Sequence, residues 1–131
     1  MHLVKFSDFA SLADLSAYKA AKAKGYSDKR AFALGDNGIG CWGDLTAQDK
    51  VPMCALPPED IKARFGSERK GRGSKIKVTV NNVSITCELR DIMPHKPYRK
   101  NGCDLDLNPA ALRLLSLRSP TTGAATWEWL D

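Results

Sequence analysis

The sequence predicts a mainly β fold carrying short helices, on three observations. Residues 75 to 90 alternate apolar and polar side chains and break only at Asn81-Asn82. Residues 125 to 130 alternate in the same way, and two short stretches, at Pro57 and Pro109, open on proline as helices do.

Taken in order, Ser11 to Lys24 is rich in alanine and lysine, stops at Gly25, and begins with a capping arrangement of Ser11 and Asp14. Leu12, Leu15 and Tyr18 give it a thin apolar stripe, so it reads as a helix packed outside the main body. Four glycines between Gly35 and Gly43, with Asp36 and Asn37 among them, mark a loop. That loop lacks the Gly-Lys-Ser/Thr ending of a phosphate-binding P-loop, which speaks against a nucleotide site there. Trp42 within it is either core or a platform for a sugar ring. Leu56 to Ile61 starts a helix, with prolines in the first turn, Glu59 and Asp60 on the positive end of its dipole, and Gly66 as the stop.

The hairpin follows. Ile76, Val78 and Val80 form one apolar face, and Val83, Ile85, Cys87 and Leu89 form that of the return strand. Asp91 continues the latter parity, which places an acid on the inward face at the strand end. Pro94 and Pro97 then break the chain into a loop carrying His95, Tyr98, Arg99 and Lys100. In Asp104-Leu105-Asp106-Leu107 the two leucines share one face and the two acids the other. Asn108 caps a helix that starts at Pro109 and turns Leu112, Leu115 and Leu117 toward the core.

With 131 residues, 43% hydrophobic and 27% charged, the chain suits one folded domain, and a monomer is the default. No apolar run approaches the ~18 residues of a membrane span, and Asp8 stands where a signal peptide would be apolar. The net charge of +5 favours a polyanionic partner. Seven cations lie between Lys62 and Lys77, but no stacking aromatics alternate with them, which speaks against nucleic acid. The cysteines Cys41, Cys54, Cys87 and Cys103 allow three disulfide pairings; they form no CxxC pair, and with only His2 and His95 present no metal site is expected.

From Met53 to Leu130 the chain resembles the double-psi β-barrel family of expansins, rare lipoprotein A and related lytic transglycosylases. The match comprises the Leu56-Pro57-Pro58-Glu59-Asp60-Ile61 helix start, the strand ending in Asp91, a proline-containing loop and a closing tryptophan strand. Its most diagnostic stretch is Asp106-Leu107-Asn108-Pro109-Ala110-Ala111. The resemblance implies a six-stranded double-psi β-barrel over residues 30–131, with residues 1–29 as an N-terminal helical extension. It also implies Asp106 as the essential acid, Asp91 as its groove-lining partner, and disulfides of the kind found in the plant and fungal branches. Met93 stands where expansins carry an aromatic, which weakens a cellulose-loosening reading.

Cleavage of a glycosidic bond needs an acid for the leaving oxygen, and hydrolysis adds a second carboxylate. A lytic transglycosylase needs only one, acting as acid and as base, because an internal sugar hydroxyl attacks. The expected function is therefore peptidoglycan cleavage by Asp106, its proton affinity raised by a nearby Asp91. Trp42, Asp36, Asp104, His95 and Tyr98 are the expected substrate contacts, and no cofactor is implied. The alternative is a non-catalytic, expansin-like polysaccharide binder using Trp42, Tyr98 and the basic loop. Either activity lies outside the cytoplasm, reached after removal of a leader, through a secretion machine or in a phage particle.

Overall fold

Strands form where apolar residues recur every second position, and their pairing closes a barrel. The structure is a computed structural model describing residues 1–98 and 101–130. Its strands are β1 (His2–Asp8), β2 (Met53–Leu56), β3 (Lys75–Val80), β4 (Val83–Ile92), β5 (Leu105–Leu107) and β6 (Thr122–Trp129). The helices are α1 (Leu12–Ala23), α2 (Asp28–Phe32), α3 (Pro58–Phe65) and α4 (Pro109–Leu114). Around the closed barrel the order is β1-β5-β2-β4-β3-β6. The pairs β1–β5 and β2–β4 are parallel and the other four antiparallel. Exchanging β1 with β4, β2 with β5 and β3 with β6 reproduces that order and every pairing sense. The barrel is thus two interlocked three-strand halves, the double-psi arrangement.

Local chemistry explains most elements. Asn81 and Asn82 both take positive φ, 50° and 66°, which suits asparagine and forms the tight β3–β4 turn. The Ser11 hydroxyl accepts from the Asp14 N–H at 3.1 Å to start α1. Gly66, at φ +79°, ends α3 in the left-handed conformation. Inside the barrel, Phe6, Cys54, Leu56, Ile76, Val78, Leu89, Leu105, Leu107 and Trp127 form the core, with Ile61 of α3 and Leu112 and Leu115 packed against it. His2 lies flat on Trp127 with 3.9 Å between ring centroids.

Three expectations are corrected. The barrel begins at His2, so residues 1–29 are not an extension outside it: β1 sits between β5 and β6, and only α1 and the first residues of α2 in that stretch are external. All four cysteines are free thiols. Cys54 is register-paired with Leu89, two positions from Cys87, and such a diagonal offset of about 7–8 Å is too long for a disulfide. Asp91, finally, does not stay on the inward face of β4. Cys54 pairs with Leu89 but Ala55 pairs with Asp91, so Arg90 is an extra residue, a β-bulge that reverses the parity of all that follows. Leu89 points into the core, Asp91 points out, and Ile92 returns to pack on the core.

Asn108 joins the barrel to its loops. Fully buried, it accepts from the Met53 and Ala111 N–H groups at 2.8 and 3.1 Å through Oδ1. Through Nδ2 it donates to the Thr46 and Val51 carbonyls at 3.0 and 3.1 Å. One side chain thus caps α4, holds the start of β2 and fastens the loop before it. Serine in its place would keep a cap acceptor but could not reach both carbonyls. Asn108→Ser is expected to lower unfolding stability by about 2–3 kcal/mol. Asn108→Asp, which turns carboxylate oxygens toward two buried carbonyls, should cost more. Urea melts of both variants beside the parent chain check the order.

Candidate functional site

The strand register brings two carboxylates to one floor. Ala55 pairs with Asp106 across β2–β5 and with Asp91 across β2–β4, so the two acids flank it on the outer surface of the barrel. Their backbones lie two interstrand spacings apart, about 9–10 Å. Ser7 of β1, paired with Asp106 on its other side, donates its hydroxyl to the Asp106 carboxylate.

Above this floor opens a groove of about 550 Å³. One wall comes from outside the barrel: Asp14 in the first turn of α1, Phe32 at the end of α2, then Leu34, Asp36, Ile39 and Cys41. Phe9, Met93 and Pro94 supply apolar surface elsewhere in the lining. The glycine loop reaches this position because its glycines approach other backbone closely. A Cβ on Gly35 would lie 2.3 Å from the Asp14 carbonyl oxygen, and one on Gly40 would lie 2.2 Å from that of Arg90, the bulge residue. The Cys41 N–H, next in the chain, donates to Asp91 Oδ1 at 2.9 Å, and the Ile92 N–H donates to the same oxygen at 2.8 Å.

Burial sets the electrostatics. Asp91 is pushed above the usual carboxylate range by desolvation, which outweighs the N–H groups that favour its charged form. Asp36 is raised by desolvation too, and further by the charges of Asp91 and Asp14, although its Oδ2 accepts from the Gly38 N–H at 2.9 Å. Asp14 is raised by the same burial. The Cys41 thiol is pushed up to about 11, first by desolvation and then by the neighbouring Asp91. All charged residues lining the groove are acidic among the described residues, in a chain of net charge +5.

Asp106 and Asp91, expected as the acid and its partner, and Asp36, expected as a substrate contact, thus line one groove. Trp42 does not join them: it is half-buried and packs against the barrel core. Asp104 lies outside the groove lining, its N–H donating to the Lys5 carbonyl at 2.9 Å. His95 is exposed and sits 3.7 Å from Glu59, also outside the lining. The Tyr98 side chain, and Arg99 and Lys100, lie outside the described residues. Sequence reasoning missed Asp14, Phe32 and Cys41 as lining residues. Asp14 carries a helix-start signal and nothing else, and no local pattern tells which barrel face a helix outside the barrel will cover.

No family model and no curated protein matches this chain. Among solved structures it is similar to the Streptomyces papain inhibitor (SPI), with a TM-score of 0.55 and 17% identity over 99% of this chain and 94% of that one. At that identity the likeness shows the fold, a closed six-stranded double-psi-type barrel.

Two outcomes follow from the electrostatics. Raised Asp36 disfavours the charged, folded state once pH climbs above the ordinary carboxyl value, so its burden on stability is present at neutral pH and absent below about pH 3.8. Asp36→Asn, which keeps an acceptor for Gly38, should raise the melting temperature at pH 7 and leave it unchanged near pH 3. Alkylation of Cys41 should be slow at pH 8, where a thiol of pKa about 11 is less than about 1% thiolate, and faster in Asp91→Asn. Mass mapping of iodoacetamide adducts measures both rates.

Proposed function

We propose that this chain cleaves a cell-wall glycan, peptidoglycan in particular, by lytic transglycosylation. The observation that carries this reading is the in-register placement of Asp91 and Asp106 either side of Ala55 on the floor of an open groove. Asp106 is the general acid/base. It gives a proton to the glycosidic oxygen as the bond to the anomeric carbon breaks. It then takes the proton of the C6 hydroxyl, whose oxygen closes on that carbon to give a 1,6-anhydro ring. The proton count closes without water, so one carboxyl suffices. The Ser7 hydroxyl holds the Asp106 carboxyl in place. Asp91, across Ala55 from it, supplies a second carboxyl beside the developing oxocarbenium ion, and burial raises its proton affinity. Such a substrate puts the site of action outside the cytoplasm; no described helix is long and apolar enough to cross a membrane.

The test is digestion of purified peptidoglycan sacculi with mass spectrometry of the soluble fragments. The parent chain should release anhydro-muropeptides. Asp106→Asn should lose at least about a hundredfold in rate, the scale of an acid/base group, and Asp91→Asn about tenfold or more. Ordinary reducing ends would replace transglycosylation with hydrolysis. Fragment-free sacculi that still pellet the protein would replace the enzyme with a polysaccharide binder. The papain inhibition named for the structural neighbour has the shared fold as its support here, and a papain assay on the same sample would expose it.

A further inference from the structure

The geometry points to Phe32 as the sugar-stacking platform of the groove, in the place the sequence offered to Trp42 and Tyr98. This rests on the glycan reading of the groove and says which part of it grips the ring. Phe32 is the last residue of α2 and lines the same groove as Asp36, Asp91 and Asp106, yet is 45% exposed. A large aromatic left open inside a polar-floored groove has the amphipathic pairing a pyranose needs. The flat C–H face of the sugar covers the ring, and its edge hydroxyls donate to carboxylates.

The ring is also held ready. Its centroid lies 4.9 Å from that of Tyr18, tilted by 55°. The Tyr18 hydroxyl donates to Asp28 at 3.1 Å, and Asp28 pairs with Lys22 at 2.7 Å, so α1 and α2 are tied together behind the ring. The Ser27 hydroxyl accepts from the Arg30 N–H at 3.3 Å and caps α2. Leu34 and Ile39, 59% and 43% exposed, extend the apolar wall beside it. By contrast Trp42 has its ring packed on the core. Stacking on this wall would set the ring against the carboxylate floor, so Phe32 governs binding and leaves the proton steps to Asp106.

The experiment measures binding apart from cleavage. Co-sedimentation with intact sacculi in the Asp106→Asn background, and titration with soluble N-acetylglucosamine oligomers, are run on Phe32, Phe32→Leu, Phe32→Ala and Phe32→Trp chains. Phe32→Leu keeps apolar bulk against Tyr18 but loses the flat face, so it should weaken binding about three- to tenfold with an unchanged melting temperature. Phe32→Trp should restore binding and add a tryptophan emission that shifts on ligand addition. With Asp106 present, Phe32→Leu should raise KM and leave kcat within about twofold. Equal binding by Phe32→Leu and the parent overturns the platform while leaving the glycan reading standing. Phe32-dependent binding without cleavage keeps the platform and overturns the enzyme. No binding by the parent to either probe overturns both.

Discussion

Arg90, one extra residue in β4, decides the chemistry of this barrel. Without it Asp91 would follow Leu89 into the core, where a carboxylate without partners is costly to bury. With it the strand changes parity, Ile92 goes inward in its place, and the carboxyl turns out beside Ala55. The bulge is held from outside: Gly40 sits against the Arg90 carbonyl and the Cys41 N–H bonds to Asp91. The Arg90 side chain, meanwhile, pairs with Glu88 at 2.8 Å and reaches Asp44 at 3.5 Å. Arg72 meets the same Asp44 at 3.0 Å, so the glycine loop is pinned at both its acid and its glycine.

The second constraint is closure. The halves of the barrel cross at β2 and β5, each a short strand followed by a proline-started helix. A crossing so brief needs support beyond its own ladder. Asn108 supplies it with four hydrogen bonds from one buried amide, reaching β2, α4 and the loop ahead of β2. Because Asp106 lies two residues before Asn108, the anchor that stabilises the crossing also fixes where the proposed acid stands.

Charge separation is the third theme. The chain is basic as a whole, yet Asp14, Asp36, Asp91 and Asp106 gather in one groove. Asp36 is raised first by burial and then by the charges of Asp91 and Asp14, so the fold holds like charges close to it. Such an arrangement is an expense in stability that a binding groove accepts, since several carboxyl oxygens are then offered to a ligand's hydroxyls.

What the sequence determined by itself was local and periodic. The β3–β4 hairpin, the caps at Ser11 and Asn108, the proline-started α3 and α4, and the closing strand all follow from rules that act within a few residues. The barrel and its acids, Asp91 and Asp106, were legible through a resemblance carried by short motifs. The tertiary structure alone decided the membership of β1, whose partners β5 and β6 are about a hundred residues away. It likewise decided the outward turn of Asp91, because a bulge is visible only against the neighbouring strand. And it chose Phe32 over Trp42 for the groove, since which aromatic is left open depends on what the rest of the chain has already covered.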